Sequence, residues 1–233
     1  MQLFILEKIK NGDFYFYEND IVHITKALRK QVGDQIRAID NENKIYLLEI
    51  TALNPFRTKL IEQVNVCNEY DFEINLFVGI IRKNNFEFII EKATELHVNK
   101  IIPVYFARSQ RTNVVNLTRS KIIINESIKQ SNRQSMVTIC EPIDFEQMQN
   151  MINNNEIKIV AYENEKTQSL NDLKIIKPKI INLIIGPEGG FEISEIEKLS
   201  KFNNTHFVKL TKSILRTETA CFYLLSNVIN KWG

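Results

Sequence analysis

The sequence predicts an α/β protein in which a small β-barrel precedes a larger domain built on a parallel sheet. Short alternating or apolar runs punctuated by turn residues fill residues 1–66, the pattern of a small barrel. From residue 73 onward, apolar runs alternate with segments whose apolar residues recur at helical spacing, which argues for strands and helices in turn. Two loops, Gly186 to Phe191 and Ile214 to Ala220, each end an apolar run and open a helical pattern. Both therefore fall at the carboxyl edge of the sheet, where open α/β folds bind ligands. The domains are placed at residues 1–66 and 73–233.

In the first domain, strands are read over Gln2–Leu6, Phe14–Tyr17, Gln35–Ile39, Lys44–Ile50 and Lys59–Val66. Turn signals such as Asn11-Gly12-Asp13, Gly33-Asp34 and Asp40-Asn41-Glu42-Asn43 separate them. His23 and Arg29 lie on a short helix or turn. In the second domain Glu73–Ile81 reads as a strand, and Phe86–Leu96 as a helix behind Asn84-Asn85 as cap. Strand Lys100–Tyr105, helix Thr118–Ser131, strand Met136–Cys140, helix Asp144–Asn153 and strand Ile157–Tyr162 follow. The last third repeats the rhythm with strand Ile180–Ile185, helix Ile193–Lys201, strand Thr205–Leu210 and a helix from Thr217 to Lys231.

A hydrophobic content of 44% suits a protein with a real core. Cys67, Cys140 and Cys221 are widely spaced, with no CxxC and no histidine at ligand spacing, so a reducing compartment and no structural metal are expected. No apolar stretch approaches a membrane span and the N-terminus lacks a signal-peptide pattern, which predicts a cytoplasmic protein. A net charge of +2 argues for no particular partner. The charge is uneven, however. Between Arg108 and Arg133 six basic residues face one acid, Glu126, a candidate phosphate-contacting patch whose alternative is a solvated helix face. The first domain is balanced, so any phosphate contact there would rest on local clusters such as Lys26, Arg29 and Lys30.

The loop Gly186-Pro187-Glu188-Gly189-Gly190-Phe191 has glycines where a ligand could approach the backbone, and a proline that orders the loop beforehand. Neither GxGxxG nor GxxxxGK[ST] occurs, so dinucleotide and phosphate-loop folds are unsupported. Thr217 suits the N-cap of the last helix and Glu218 its first turn, where the helix dipole favours a carboxylate. Arg216 follows an apolar run into the presumed cleft, where an unpaired charge would be expensive to bury. His97 and His206 are most simply structural.

The words IGPEGGF and LTKSILRTETA, with Lys92-Ala93-Thr94-Glu95-Leu96, Ser127-Ile128-Lys129-Gln130-Ser131-Asn132-Arg133 and His23-x5-Arg29 upstream, stand in order along nearly the whole chain. Together they resemble the ribosomal-RNA uracil-N3 methyltransferases of the SPOUT superfamily. The resemblance implies a PUA-like barrel and a trefoil-knotted methyltransferase domain, tied from about Ile157 onward. It implies S-adenosylmethionine as cofactor, N3 of a uridine in 16S rRNA of the small ribosomal subunit as target, and a homodimer through the knotted domain. Phe222, Tyr223, Leu225 and Ile229 would supply the dimer surface. Cofactor contacts would come from Tyr162, Glu163, Ile185, Gly186, Pro187, Gly189, Gly190, Leu210, Ile214 and Leu215. RNA contacts would come from His23, Arg29, Arg82, Arg108, Arg111 and Arg133.

Uracil N3 is protonated at neutral pH, so transfer needs help in losing that proton and spreading the resulting charge. Arginine stays protonated, which makes Arg216 an electrostatic stabiliser or phosphate anchor, while Glu218 or solvent accepts the proton. Three features depart from the family: Leu210-Thr211 where glycine commonly follows leucine, Glu95-Leu96-His97 where glycine commonly stands third, and an N-terminus without arginines. Two alternatives stay open. One is a SPOUT enzyme acting on tRNA or a ribose hydroxyl; the other is a non-catalytic RNA-binding assembly factor, which Thr211 favours.

Overall fold

The computed structural model describes residues 2–65 and 69–233, so Cys67 and the last residue of the expected fifth strand, Val66, lie outside the described residues. The chain divides into two compact units: Met1–Glu69 with Asn125–Met136, and Tyr70–Ile124 with Val137–Gly233. The sequence reading kept residues 73–233 together, whereas residues 125–136 pack with the N-terminal unit.

In the first unit, β1 (Leu3–Lys10) and β2 (Asp13–Phe16) form a hairpin. Its turn needs two positive φ angles, which Asn11 (54°) and Gly12 (85°) supply. Helix α1 (Glu18–Val22) runs on into a π-helical turn over His23–Ala27. Strands β3 (Gln35–Ile39), β4 (Ile45–Leu53) and β5 (Phe56–Val64) complete a five-stranded sheet in the order β2-β1-β3-β4-β5. Its pairings are antiparallel except for β1 with β3. Alternating residues such as Phe4, Leu6, Ile36, Ala38, Leu48 and Ile50 point inward with Phe16 and Ile24 to form one core. The two ends of the sheet, β2 and β5, approach each other without a ladder between them, leaving an open seam in the curled sheet. Strand β5 begins three residues earlier than expected because Pro55 lies in the turn and leaves Phe56 to Thr58 free to pair with β4.

The second unit holds a seven-stranded sheet. Its elements are β6 (Glu73–Gly79), α2 (Lys83–Glu95), β7 (Lys100–Tyr105), α3 (Leu117–Ser131), β8 (Thr138–Ile139), β9 (Ile143–Asp144), α4 (Phe145–Met151), β10 (Ile157–Ala161), β11 (Ile180–Ile185), α5 (Ile193–Leu199), β12 (Thr205–Val208) and α6 (Thr217–Trp232). The last seven residues of α3 belong to the first unit. Strand order is β12-β10-β11-β6-β7-β8, with β9 also on β7, and every ladder is parallel. Near-continuous burial along β6, β7, β10 and β11 is what a sheet covered on both faces demands.

After β11 the chain steps over β10 to place β12 outside it, then returns so that α6 packs on β11 and α2. On the way, Lys209 N donates to Gln168 O at 2.8 Å, and near the helix end Trp232 Nε1 donates to Ile175 O at 3.4 Å. Both acceptors belong to the β10–β11 connection, which carries a short 3-10 turn at Leu170–Asp172. The returning segment therefore touches that connection at two points, one just after β12 and one at the end of α6.

At the amino edge, buried Lys158 donates to three carbonyls, those of Asn154 (3.0 Å), Glu156 (2.8 Å) and Asn203 (3.0 Å). Beside it Asn75, Asn182 and Glu156 form a chain of bonds at 3.0 and 2.7 Å. These groups are met within the protein, whereas Thr205 Oγ1, at the start of β12, is buried with no hydrogen-bond partner among the described residues.

Helix α4 is capped by Asp144 as expected, in a reciprocal box with Gln147. Helix α2 instead begins at Lys83 with Arg82 at its N-cap, because Phe86 N already bonds Arg82 O and so draws Asn84 and Asn85 into the first turn. It ends at Glu95 with Leu96 as C-cap, and the next residue, His97, has a left-handed φ of 58°. This is the αL position that follows a helix C-cap, where glycine, the residue the resemblance implies, sits without strain. The strain, about 1–2 kcal/mol for a residue with a Cβ, is offset by edge-on stacking of His97 on Tyr70, 4.9 Å between centroids. His206, on β12, is partly buried, and burial pushes its imidazole below the ordinary value. We expect His97→Gly, which trades the stack for relief of strain, to leave the melting temperature nearly unchanged. His97→Ala, which loses the stack and keeps the strain, should lower stability by about 1 kcal/mol in denaturant unfolding.

Candidate active site

The parallel register sets the carboxyl ends of β6, β7, β10, β11 and β12 level with one another. Three of the following loops, those after β10, β11 and β12, enclose a cavity of about 410 Å³. The first loop brings Tyr162, Glu163, Glu165 and Lys166; the second brings Gly186, Pro187, Gly190 and Phe191; the third brings Lys209 to Leu215. Ala161 and Ile185 close its floor, and Thr217 and Ala220 of α6 one side. Nine of the ten expected cofactor residues thus line one space, and Gly189 does not.

The glycines of the second loop have reasons inside the protein. A Cβ on Gly186 would touch the Phe191 ring at 3.2 Å, and one on Gly189 would press on Arg108 Cβ at 3.0 Å. Gly190 has φ of 69° and would meet Glu163 Oε1 at 2.5 Å. Gly190 N closes the turn by donating to Pro187 O at 2.9 Å. The sequence reading missed Gly79, at the end of β6, whose Cβ would collide with the backbone of Pro187.

Glu165 organises the first loop. Its Oε1 accepts from Thr167 N (2.8 Å), Thr167 Oγ1 (2.7 Å) and Gln168 N (3.1 Å), bonds that hold the carboxyl down at about 2. In the third loop Thr211 Oγ1 donates to Ser213 O at 2.6 Å, and its φ is negative, so the position makes no demand for glycine. Lys166, Lys209, Lys212 and Ser213 were also missed, since scattered polar residues in a loop carry no periodicity.

Arg216, not Thr217, occupies the N-cap of α6, and its side chain is exposed. The expectation that it would be buried in the cleft is corrected: the loop turns outward at Ser213 and Ile214, which is 83% exposed. Thr217 is the first helical residue and is buried, with Oγ1 donating to Gly186 O at 3.2 Å, so it ties α6 to the glycine loop. Glu218 faces α2, where Asn85 Nδ2 donates to its Oε1 at 3.3 Å. Its Oε2 is buried with no hydrogen-bond partner among the described residues. Burial, with the Glu218 carboxylate nearby, pushes the Cys221 thiol up.

The basic segment is largely used internally. Arg133 is 2% exposed, its Nε bonds Ser135 Oγ at 2.9 Å, and burial lowers its guanidinium to about 10, with Glu69 opposing. Glu69 in turn accepts from Gln134 N and Ser135 Oγ at 2.9 and 2.8 Å. Arg133 is therefore withdrawn from the RNA-contacting set. Lys129 bonds Asp20 and Glu126 at 2.8 and 2.7 Å, and Arg119 pairs with Glu87 at 3.3 Å. Arg108 and Arg111 remain exposed in the loop after β7. Arg108 Nη1 donates to Gly189 O at 3.1 Å, and Arg111 lies 4.8 Å from the Tyr105 ring centre. Arg82, at the N-cap of α2, is exposed at the same sheet edge. In the first unit His23 and Arg29 are both exposed, His23 edge-on to Phe4.

Of the expected dimer residues Leu225 is fully buried within its own chain, because it lies on the face of α6 turned to the core, and it is withdrawn. Phe222 packs edge-on against Phe88 of α2 (5.2 Å), while Tyr223 and Phe88 are exposed. Among the described residues no group of acids, histidines and cysteines gathers to hold a metal, and no helix is long and apolar enough to cross a membrane.

Residues 68–229 match the family model of an RNA methyltransferase domain, and residues 16–57 that of an RNA methyltransferase PUA domain. The ribosomal RNA small subunit methyltransferase E of Mesomycoplasma hyopneumoniae is 31% identical over 98% of both chains. The chain belongs to the small subunit methyltransferase E family of RNA methyltransferases. The Bacillus subtilis member is 28% identical, covering 98% of this chain and 96% of its own. Among solved structures, the family member from Neisseria gonorrhoeae, bound to S-adenosyl methionine, superposes with a TM-score of 0.87 at 24% identity, over 100% of this chain and 98% of that one. That likeness carries the α/β fold with its PUA-like N-terminal sheet.

One buried side chain holds the arginine-bearing loop in place. Glu195 of α5 accepts from Ala107 N through Oε1 and from Glu192 N through Oε2, both at 2.8 Å. Glu195→Ala strands both donors and should lower stability by about 2–3 kcal/mol. Glu195→Gln, which keeps one acceptor, should lower it by about half as much; denaturant unfolding measures both.

Proposed function

We propose that the protein is an S-adenosylmethionine-dependent methyltransferase that modifies N3 of a specific uridine in 16S rRNA of the small ribosomal subunit, acting in the cytoplasm as a homodimer. The observation that carries this reading is the cavity walled by the three carboxyl-edge loops. Its residues fit the cofactor. Ile185, Leu210, Ile214, Leu215 and Phe191 offer apolar walls for a planar base, while Glu163 and the lysines of the first and third loops offer charged partners for an amino-acid end. When bound there, S-adenosylmethionine supplies an electrophilic methyl group.

The protein's own part is to position the uracil and manage its charge. Loss of the N3 proton to a base places negative charge on N3 and the neighbouring carbonyl oxygens, and that charge is quenched as N3 takes up the methyl group, whose bond to sulfur breaks with the electron pair left on sulfur. Arg216, exposed at the N-terminus of α6 beside the cavity, is the stabiliser of that charge, aided by the positive end of the helix. Glu218 is the candidate acceptor of the proton, since its Oε2 is a buried acceptor with no partner among the described residues. Arg82, Arg108 and Arg111 supply phosphate contacts along the same edge, with His23 and Arg29 in the N-terminal unit. Thr211 gives no support to a non-catalytic reading, since its backbone is unstrained. Phe222, Tyr223 and Ile229, with Phe88 beside them, are the dimer surface in this reading.

The test incubates the purified protein with labelled S-adenosylmethionine and 30S subunits from cells lacking the modification, then maps the product nucleoside by mass spectrometry. N3-methyluridine at one small-subunit site is expected, and cofactor binding without transfer to this RNA would overturn the substrate. Arg216→Ala should keep cofactor affinity while losing about 100-fold or more in transfer rate; an equal loss of both would remove the stabiliser role. Glu218→Gln at near-normal rate would leave Glu218 as a tether to α2.

A further inference from the structure

The seam between β2 and β5 in the N-terminal unit holds a cavity of about 230 Å³. We propose that this seam is a binding pocket for one unstacked nucleobase of a single-stranded RNA segment. The inference rests on the RNA methyltransferase reading and adds a subsite to it. The volume is below the roughly 300–1,000 Å³ of pockets that enclose drug-sized ligands and suits one planar group. Phe14, Tyr15, Phe16 and Phe56 line it, four rings around a small space. Tyr15 is 40% exposed on a strand whose free edge faces the seam, whereas Phe14 packs against Tyr46 (5.1 Å) and Phe56 edge-on against Phe16 (5.6 Å). The pocket thus has a rigid rear wall and an accessible flank.

Its polar groups point to the same ligand. Thr58 Oγ1 is buried with no hydrogen-bond partner among the described residues, in a wall that mixes aromatic and polar side chains. A hydroxyl in that state is an unmet cost to the fold unless a ligand with donors and acceptors meets it. Exposed Arg57 stands next to it and supplies the cation that a nucleotide's phosphate needs. Asp13, also exposed in the lining, is an acceptor for a base amine. Stacking on aromatic side chains with one cation and a few edge contacts is how single-stranded nucleic acid is held. An aliphatic ligand would leave the hydroxyl, the arginine and the aspartate unused.

The test uses the full chain and a short fluorescein-labelled oligocytidylate at low salt, read by anisotropy. Tyr15→Ala/Arg57→Ala, both exposed positions, should weaken binding about tenfold. Thr58→Val keeps the side chain's shape and removes the orphaned hydroxyl. It should raise the melting temperature yet weaken binding about fivefold, a pair of opposite effects that a purely structural threonine would not give. Wild-type affinity in both variants, or no binding of the probe by the wild-type chain, overturns the pocket. S-adenosylmethionine binding and transfer to 30S subunits, measured alongside, stay at wild-type levels if the pocket alone is wrong, and are absent if the methyltransferase reading fails.

Discussion

Val208 stands opposite Ala161, Ala161 opposite Ile185, Ile185 opposite Val78, and Gly79 opposite Val104. That level register of parallel strands is the constraint on which the site depends. A slip of one residue in any ladder would turn a strand's buried side chains to its other face and move one wall of the cavity along the sheet. The register also explains where side chains are forbidden. With β6 and β11 ending side by side, the backbone of Pro187 lies where a Cβ of residue 79 would be, so β6 must end in glycine.

The two edges of this sheet differ in how their charged groups are met. At the amino edge the Lys158 ammonium finds three carbonyls, and Asn182 links Asn75 to Glu156. At the carboxyl edge a carboxylate oxygen of Glu218 has no partner among the described residues, Ile214 stands out in solvent, Arg108 bonds Gly189 O, and Arg82 and Arg216 are exposed. The charged groups of the amino edge are spent on the fold, while the arginines of the carboxyl edge stay at the surface. The same division runs through the basic stretch 108–133, where Lys129 and Arg133 are absorbed into the N-terminal unit and the two loop arginines are left exposed.

Most of this architecture was legible in the sequence because burial on both faces leaves uninterrupted apolar runs such as Ile180–Ile185, and turns leave Gly, Pro and Asn between them. The cavity's position followed from two such runs ending in loops. Other features had no local signal. The burial of Arg133 depends on Glu69, more than sixty residues away in sequence, and Leu225 differs from Tyr223 in exposure only by its angle around the helix. The outward path of Ile214 and Arg216 is set by the hydroxyl bond of Thr217 to Gly186, a contact between loops. The crossing of β12 over β10 is likewise a fact of strand order, and periodicity is blind to order. Where sequence and fold met most closely was His97, a departure from glycine that the structure locates at a positive φ.

The wall formed by Thr217 and Ala220 has a consequence for the order of synthesis. The cavity needs residues from Ala161 through Ala220, and its last wall comes from a helix that must travel back past a connection made some fifty residues earlier. A nascent chain that has exposed β10 and β11 but not α6 has two loops and no pocket. The cavity is therefore completed by the last helix and does not grow by degrees with the sheet.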